Sequence, residues 1–257
     1  MTTAVMAFVC TVGLRAQDIR PLVAGGVDVL PVSSLEINFG EEYIHAFRSI
    51  RTHEPGNLWK HGQLAMRWGF SDNVELEVDG SLQKHFEADS GRTDTGIGDF
   101  SVWGKFLLWR GEKPGTALGF RLGVKMPNTP SDKDFGTNQT DYYSEFLAGR
   151  EFDKLKIWGS VGLGILDNPY KRQSQDDIFT YCVAFSYPLG THWEVTGDGH
   201  GFLSGGQSVL YGDNHALSLG ARYHMSRRWS ITASAAKSSG RLYGDWSARA
   251  GVSYRFG

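Results

Sequence analysis

Residues 73–86 read NVELEVDGSLQKHF and alternate strictly between apolar and polar side chains. Apolar residues occupy one parity: Val74, Leu76, Val78, Leu82 and Phe86. Polar residues occupy the other: Glu75, Glu77, Asp79, Ser81, Gln83 and His85. Since a β-strand points successive side chains to opposite faces, the segment predicts a strand with one apolar and one strongly charged face.

The same alternation recurs along nearly the whole chain. It predicts twelve strands near residues 34–43, 61–71, 74–86, 97–110, 115–127, 140–152, 155–166, 176–189, 191–203, 214–226, 228–239 and 244–256. Long strands that are apolar at alternate positions are typical of an outer-membrane β-barrel, with lipid outside and a wet lumen inside. We therefore predict an all-β fold, a single antiparallel transmembrane β-barrel of about twelve strands.

The lengths of the links agree with this interpretation. Tight links follow every second strand, as in Ser71-Asp72-Asn73. The intervening links near 44–60, 87–96, 128–139, 167–175 and 204–213 are longer, and only the last, near Ser239 to Gly244, is short. Short turns on one rim and longer loops on the other are expected of such barrels. An even strand count would place both termini on the periplasmic side.

Composition limits the alternatives. The 257 residues carry a net charge of −2, so no basic excess favours a nucleic-acid partner. Mean hydropathy is −0.31, and no segment approaches the ~20 apolar residues of a membrane helix. Neither value argues against a barrel, whose strands are apolar only at every second position.

The two ends of the chain suggest export and assembly. Residues 1–16 are predicted to be a signal peptide, 17–33 an extended periplasmic lead-in that could tuck inward, and 34–257 the barrel. Cleavage after Ala16 would remove Cys10 and leave Cys182 alone, which excludes an internal disulfide and a cysteine-based zinc site. Phe256, the last residue but one, is the expected signal for the barrel-assembly machinery.

Charged residues on the polar parity are the candidate lumen lining. Eight are singled out: Glu75, Glu77, Asp79, Asp99, Lys105, Arg121, Arg67 and Arg222. Acidic and basic residues roughly balance on this face, which argues against a strongly ion-selective pore. Two interpretations remain open: cross-strand ion pairs that brace the wall, or a charged constriction that selects a polar solute.

Several inward positions on the strands near 155–166, 214–226 and 228–239 carry small residues. They are Ser160, Gly162, Gly164, Ser218, Gly220, Ser230, Thr232, Ser234 and Ala236. The space they leave could be an open bore, or it could receive an inward-folded loop. Aromatic belts at the membrane surfaces are expected from Trp109, Tyr142, Tyr143, Trp193, Trp229 and Trp246.

Catalytic and metal sites receive little support. His192 and His200 are eight residues apart on one strand, and no histidine spacing indicates zinc. Asp198 and His200 share a face, with Ser208 in the next loop, but no nucleophile motif accompanies them. We expect no catalytic residue, metal or cofactor.

Three motifs together resemble a known family. They are DTGIGDFSVWGKFLL (residues 94–108), TDYYSEFLAGREF (140–152) and WGSVGLGILDNP (158–169), preceded by the opening RPLVAGGVDVLPVSSLEINFGEEY. The chain resembles the "MetA-pathway of phenol degradation" family of outer-membrane transporters over most of its mature length. The resemblance implies a barrel in the outer membrane of a Gram-negative-type bacterium and supplies no catalytic residues.

The predicted function is passive or facilitated diffusion of a small solute, which the resemblance suggests is aromatic or otherwise hydrophobic. The predicted partners are the outer-membrane lipid bilayer and that solute. A membrane-embedded barrel enzyme, hydrolase-like or acyltransferase-like, and a closed structural barrel are the alternatives. A soluble β-sandwich would also alternate, but it would not need such long strands or alternating link lengths.

Overall fold

The computed structural model describes residues 26–112, 115–130, 132–167, 175–204, 212–240 and 243–257. Every regular element in these ranges is a β-strand. The strands are β1 Leu35–Arg48, β2 Pro55–Ser71, β3 Val74–Ala88, β4 Thr93–Gly96, β5 Phe100–Arg110, β6 Thr116–Lys125, β7 Asp141–Phe152, β8 Leu155–Asp167, β9 Gln175–Leu189, β10 Trp193–Leu203, β11 Asn214–His224, β12 Trp229–Ser239 and β13 Trp246–Phe256. No helix in the described residues is long and apolar enough to cross a membrane.

Twelve of the strands form a closed antiparallel ring. Each pairs with its neighbours along the chain, and β1 closes the ring by pairing with β13 from Leu35 opposite Phe256 to His45 opposite Trp246. The short strand β4 pairs only with the end of β3 and continues into β5 after residues 97–99. Closure pairs each of the twelve ring strands on both sides. Strands in hydrocarbon need this pairing because no water is present to bond their backbone groups. The predicted fold class is confirmed.

The outer face of the ring is apolar. Leu217, Phe146 and Val183 expose 69%, 64% and 63% of their surface on this face. Aromatic pairs flank the apolar band at strand ends: Trp193 with Tyr223 and Trp229 with Tyr254 at one end, and Tyr43 with Trp59 and Trp246 at the other. Tyr143 was predicted in a belt, but it lines the interior instead.

Most residues of the predicted links 44–60 and 87–96 belong to β-strands in the structure. Residues 49–54 alone separate β1 from β2, and β3 continues to Ala88. The cause lies in irregularities of β1 and β2, where Ala46 and Gly62 have φ values of 55° and 60° and the β1–β2 register shifts nearby. A bulge reverses the parity of the residues that follow it, so the simple alternation ends before the strand does.

After Ser81 the inward-facing positions of β3 change from odd to even residue numbers. The predicted faces of His85 and Phe86, which follow, are therefore wrong. Phe86 was assigned to lipid, but it is fully buried against Phe47 and Leu58. His85 was assigned to the polar inner face, yet its ring bonds Thr95 on the more exposed side of β3. Lys84 lies on the inner face instead.

The ring has two unlike ends. The turn side carries the tight links at residues 72–73, 153–154, 190–192 and 225–228, together with the start of β1 and the end of β13. The loop side carries the longer links, of which residues 126–140 between β6 and β7 are the longest. Of these links, residues 49–54 and 132–137 place Ile50 and Phe135 against the interior and shape the site.

Candidate functional site: the barrel lumen

A cavity of about 480 Å³ lies inside the ring. Its lining is mixed, with carboxylates, cations and aromatic rings contributed by most of the strands. Among the described residues, the basic members are Lys60, Lys84, Arg121, Lys125, Arg222 and Arg249, and the acidic members are Asp79, Asp99, Asp141 and Glu145. The cavity wall itself is therefore more basic than acidic.

Towards the turn side, the lumen is filled by a charged layer of Glu36, Arg67, Glu75, Glu77 and Lys105. Arg67 donates to both carboxylate oxygens of Glu75 at 3.0 Å, and the Lys105 ammonium lies 2.9 Å from the same carboxylate. These side chains are at most 2% exposed. Charges this deeply buried are retained only when they are paired, so the layer forms a packed partition.

The lead-in residues 26–30 complete this partition. The Lys105 ammonium donates to the carbonyl oxygens of Gly26 at 3.1 Å and Asp28 at 2.6 Å, while the Leu30 amide donates to Glu75 at 2.8 Å. Val27 packs into an apolar cluster with Leu147 and Trp158. The segment therefore lies within the ring, held by the charged layer.

The floor of the cavity is built around Arg121. Its guanidinium donates to Glu145 through Nε at 2.9 Å and lies 2.7 Å from it through Nη2. It also stacks 4.5 Å from the ring of Trp103, whose indole N–H donates to Asp79 at 3.0 Å. This network holds the arginine in place with one face towards the cavity.

Apolar side chains close the loop side. One cluster contains Ile44, Phe47, Leu58, Phe86, Ala88 and Phe135, and a second contains Leu166, Ile178 and Phe202 with Tyr143 and Tyr243 packed against it. Ile50 contacts both clusters. We call residues 49–54 and 132–137 the lid, because Ile50 and Phe135 come from these loop segments and fold over the mouth.

A polar clasp, formed by Ser49, Arg51, Arg92 and Asp134, holds the lid down. Asp134 accepts from the Ser49 hydroxyl at 2.6 Å and from Arg92, and Arg51 lies 3.4 Å away. Burial would raise the pKa of Asp134, but the bonds from Arg92 and Ser49 outweigh it and hold the pKa below its usual value. The pKa of Glu54 is also lowered, by hydrogen bonds from Ser90 and Arg92.

The Gly96-Ile97-Gly98-Asp99 motif makes room for these inner side chains. A Cβ on Gly98 would lie 2.9 Å from the Cε atom of Lys84, and one on Gly96 would lie 3.4 Å from Phe135 and Lys133. Asp99 accepts from the Thr129 amide at 2.7 Å. The motif therefore shapes the loop side of the cavity and anchors the loop that follows β6.

The eight candidate lining residues fall into two groups. Asp79, Asp99, Arg121 and Arg222 line the cavity. Arg67, Glu75, Glu77 and Lys105 belong to the charged layer beneath it. Arg222 also interacts electrostatically with Glu36 of the charged layer.

Sequence reasoning missed the loop-side half of the lining. Lys84 and Phe86 were hidden by the parity change after Ser81, and Ile50 and Phe135 lie in segments predicted to be loops. The signal that could have found them is Phe135, an isolated aromatic residue in a long polar loop.

Asp198 and His200 are in contact, as their spacing suggested. The serine near them is Ser218, which donates to Asp198 rather than to the histidine. In a Ser-His pair the histidine bonds the serine hydroxyl, whereas here the hydroxyl and the histidine both bond the same carboxylate. Ser208 lies outside the described residues, within which no three His, Cys, Asp or Glu side chains form a group that could hold a metal ion.

Solved porins share the fold. The chain is similar to the KdgM porin in complex with disordered oligogalacturonate, with a TM-score of 0.56, 10% identity, and coverage of 86% of this chain and 99% of that chain. A second structure of the KdgM porin gives a TM-score of 0.56 at 9% identity, with the same coverage. The translocator domain of autotransporter NalP from Neisseria meningitidis gives 0.49 at 13% identity, covering 90% of this chain and 91% of that one. No curated protein matches by sequence.

The closed ring, the apolar outer face and the aromatic belts have the physical properties of a bacterial outer-membrane barrel, as predicted. Residues 20–256 match the family described as "Putative MetA-pathway of phenol degradation". The match spans nearly all of the chain and agrees with the three motifs on which the resemblance rests. The chain belongs to this family.

Proposed function

We propose that the protein is an outer-membrane channel through which a small solute diffuses passively, selected by pore width and by the polarity of the lumen. The observation that carries the proposal is the cavity of about 480 Å³ between the lid and the charged layer. Small-molecule sites in proteins commonly have volumes of roughly 300 to 1,000 Å³. A space of this size suits a compound with one or two rings.

The lining supports selection rather than free ion flow. A wide porin leaves a water-filled bore, whereas here the charged layer is almost fully buried and the lid presents Ile50 and Phe135 to the apolar clusters. Passage would then require the lid to lift and the lead-in or its ion pairs to yield. Apolar solutes would cross the lid more readily than ions, consistent with an aromatic or otherwise hydrophobic cargo.

Transport through such a path needs no catalytic residue or cofactor, and we propose that the protein is not an enzyme. The partners we propose are the outer-membrane bilayer, the solute and the assembly machinery. Phe256 would contact that machinery, since it lies on the last strand with 46% of its surface exposed.

Liposome swelling tests the channel proposal. The refolded full chain, reconstituted into vesicles, should admit small neutral one-ring solutes faster than protein-free vesicles do, and it should exclude a disaccharide and larger sugars. Vesicles with a refolded porin of wide bore provide a second comparison. A permeability no higher than that of protein-free vesicles for every solute, although the barrel shows a folded heat-dependent gel shift, would contradict the proposal and favour a closed structural barrel.

A further inference from the structure

Lys84 differs from the other cations of the cavity wall. Lys60 is 2.8 Å from Glu42, Lys125 is 2.6 Å from Asp141, and Arg121 is 2.7 Å from Glu145. The Lys84 ammonium instead donates to the carbonyl oxygen of Phe135 at 3.3 Å. Within the described residues, no ion pair with a carboxylate accompanies that bond.

Charges of both signs surround Lys84: Lys60 and Lys125 act on it together with Asp99 and Glu42. Lys84 lies directly opposite Lys60 in the β2–β3 register, and both point into the cavity. The carboxylate of Glu42 that pairs with Lys60 also lies 3.6 Å from Arg249. Like charges directly opposite each other on one sheet face repel; Glu42 offsets this repulsion at Lys60 and Arg249, but among the described residues it forms no ion pair with Lys84.

Apolar surface lies beside the ammonium. The ring centroid of Phe135 is 5.8 Å from the Lys84 nitrogen, and Ile50, Leu166 and Phe202 line the same cavity. The space at Gly98 lets the lysine stem lie flat against the wall. The cavity therefore places the half-buried Lys84 ammonium, which has no ion pair among the described residues, next to an apolar pocket.

We propose that the cavity contains a binding site for small organic carboxylates that carry one aromatic ring, with the carboxylate on Lys84 and the ring against Phe135 and its neighbours. This inference rests on the proposed channel function and names its cargo. A neutral ring would fill only the apolar half of the site, and a small anion without a ring would fill only the charged half.

Three probes separate the two halves of the site. Benzoate, benzyl alcohol and acetate are titrated into the refolded full chain in detergent, with binding followed by calorimetry. We expect benzoate to bind at least about tenfold more tightly than either of the others, since a hydrogen bond to a charged group is worth about a factor of ten or more. Equal binding of benzoate and benzyl alcohol would overturn the inference.

Two variants and a control locate the charge. Lys84→Met should reduce benzoate binding about tenfold and leave benzyl alcohol unchanged, while Lys84→Arg should retain the preference. Lys154→Met removes the same charge from the exposed turn between β7 and β8 and should change neither. If Lys84→Met still binds benzoate more tightly than benzyl alcohol, the proposed site is contradicted. If that variant does not fold, the titrations of the wild type with benzoate, benzyl alcohol and acetate still test the proposal.

Flux separates this inference from the channel proposal. Vesicles that admit benzyl alcohol and benzoate equally, with no binding preference in detergent, would leave a channel without this site. If the vesicles admit neither solute but the protein in detergent still prefers benzoate, the barrel contains the binding site and is not a channel.

Discussion

The turn side and the loop side of the lumen close it by different physical means. On the turn side, Arg67, Glu75 and Lys105 are buried and joined by ion pairs of 2.9 to 3.0 Å, and they grip the lead-in. On the loop side, the lid packs Ile50 and Phe135 into two hydrophobic clusters and is held by the clasp centred on Asp134. A buried ion pair is costly to separate, while apolar contacts are individually weak and non-directional. The difference indicates that the lid opens more readily than the partition.

The largest effect is expected in the partition. Lys105→Met leaves the buried Glu75 with one cationic partner fewer and removes the donor from two carbonyl groups of the lead-in. Removing one partner of a buried pair costs about 3 to 5 kcal/mol of the free energy of unfolding. Urea unfolding of the barrel in vesicles, followed by tryptophan fluorescence, measures it.

Lys154→Met is again the matched control, because that lysine is exposed in a turn. It should change the free energy of unfolding by less than about 0.5 kcal/mol. Equal effects of the two substitutions would mean that the charged layer does not brace the ring.

A smaller effect, expressed as opening rather than unfolding, is expected in the lid. Phe135→Ala removes a ring that is 3% exposed and packed in the first loop-side cluster. Burial of a phenylalanine is worth about 1.5 to 3 kcal/mol, so the open fraction should rise tenfold or more. Swelling rates with a one-ring alcohol measure it, with the lipid-facing Phe146→Ala as the control. An unchanged rate would show that the lid is not the barrier.

The smallest effect is expected from protonation of the clasp. The pKa of Asp134 in the folded protein lies below its value in an unfolded chain, so its contribution is present at neutral pH and is lost as the pH falls below about 4. The lid should therefore open more often in acid, by a few-fold in swelling rate.

Glu54 lies in the same cluster, pairs with Arg92 and titrates in the same direction. Asp134→Asn isolates the contribution of Asp134: the variant should be more permeable at pH 7 and lose most of the acid response. A variant that keeps the full acid response would assign the effect to Glu54 or to groups elsewhere.

The sequence predicted the wall well because alternation is a direct consequence of strand geometry in a two-sided environment. Regular strands such as β7 and β9 begin and end within one residue of their predicted bounds. Prediction failed where a bulge or a parity change intervened, as at Ala46, Gly62 and Ser81, because alternation then changes phase inside a continuous strand.

The inward-facing residues of the regular strands could be predicted from the sequence, but the loop side of the lumen could not. Glu75, Glu77 and Lys105 follow the alternation of their strands, so their inward direction could be derived. The lid depends on where residues 126–140 fold, and no periodicity encodes the path of a loop. The clasp joins Ser49 to Asp134 across 85 positions, a contact that only the closed ring brings about.

Single-channel conductance of the refolded full chain in a planar bilayer, compared with Asp134→Asn under the same conditions at pH 7, tests whether the lid gates the channel. We expect small, brief and discrete openings of the wild type, and the same unit conductance with a higher open probability in the variant. Bilayers that remain silent with both proteins, although both barrels are folded, would contradict a gated channel. Wide and permanently open steps in the wild type would contradict the lid and the packed partition.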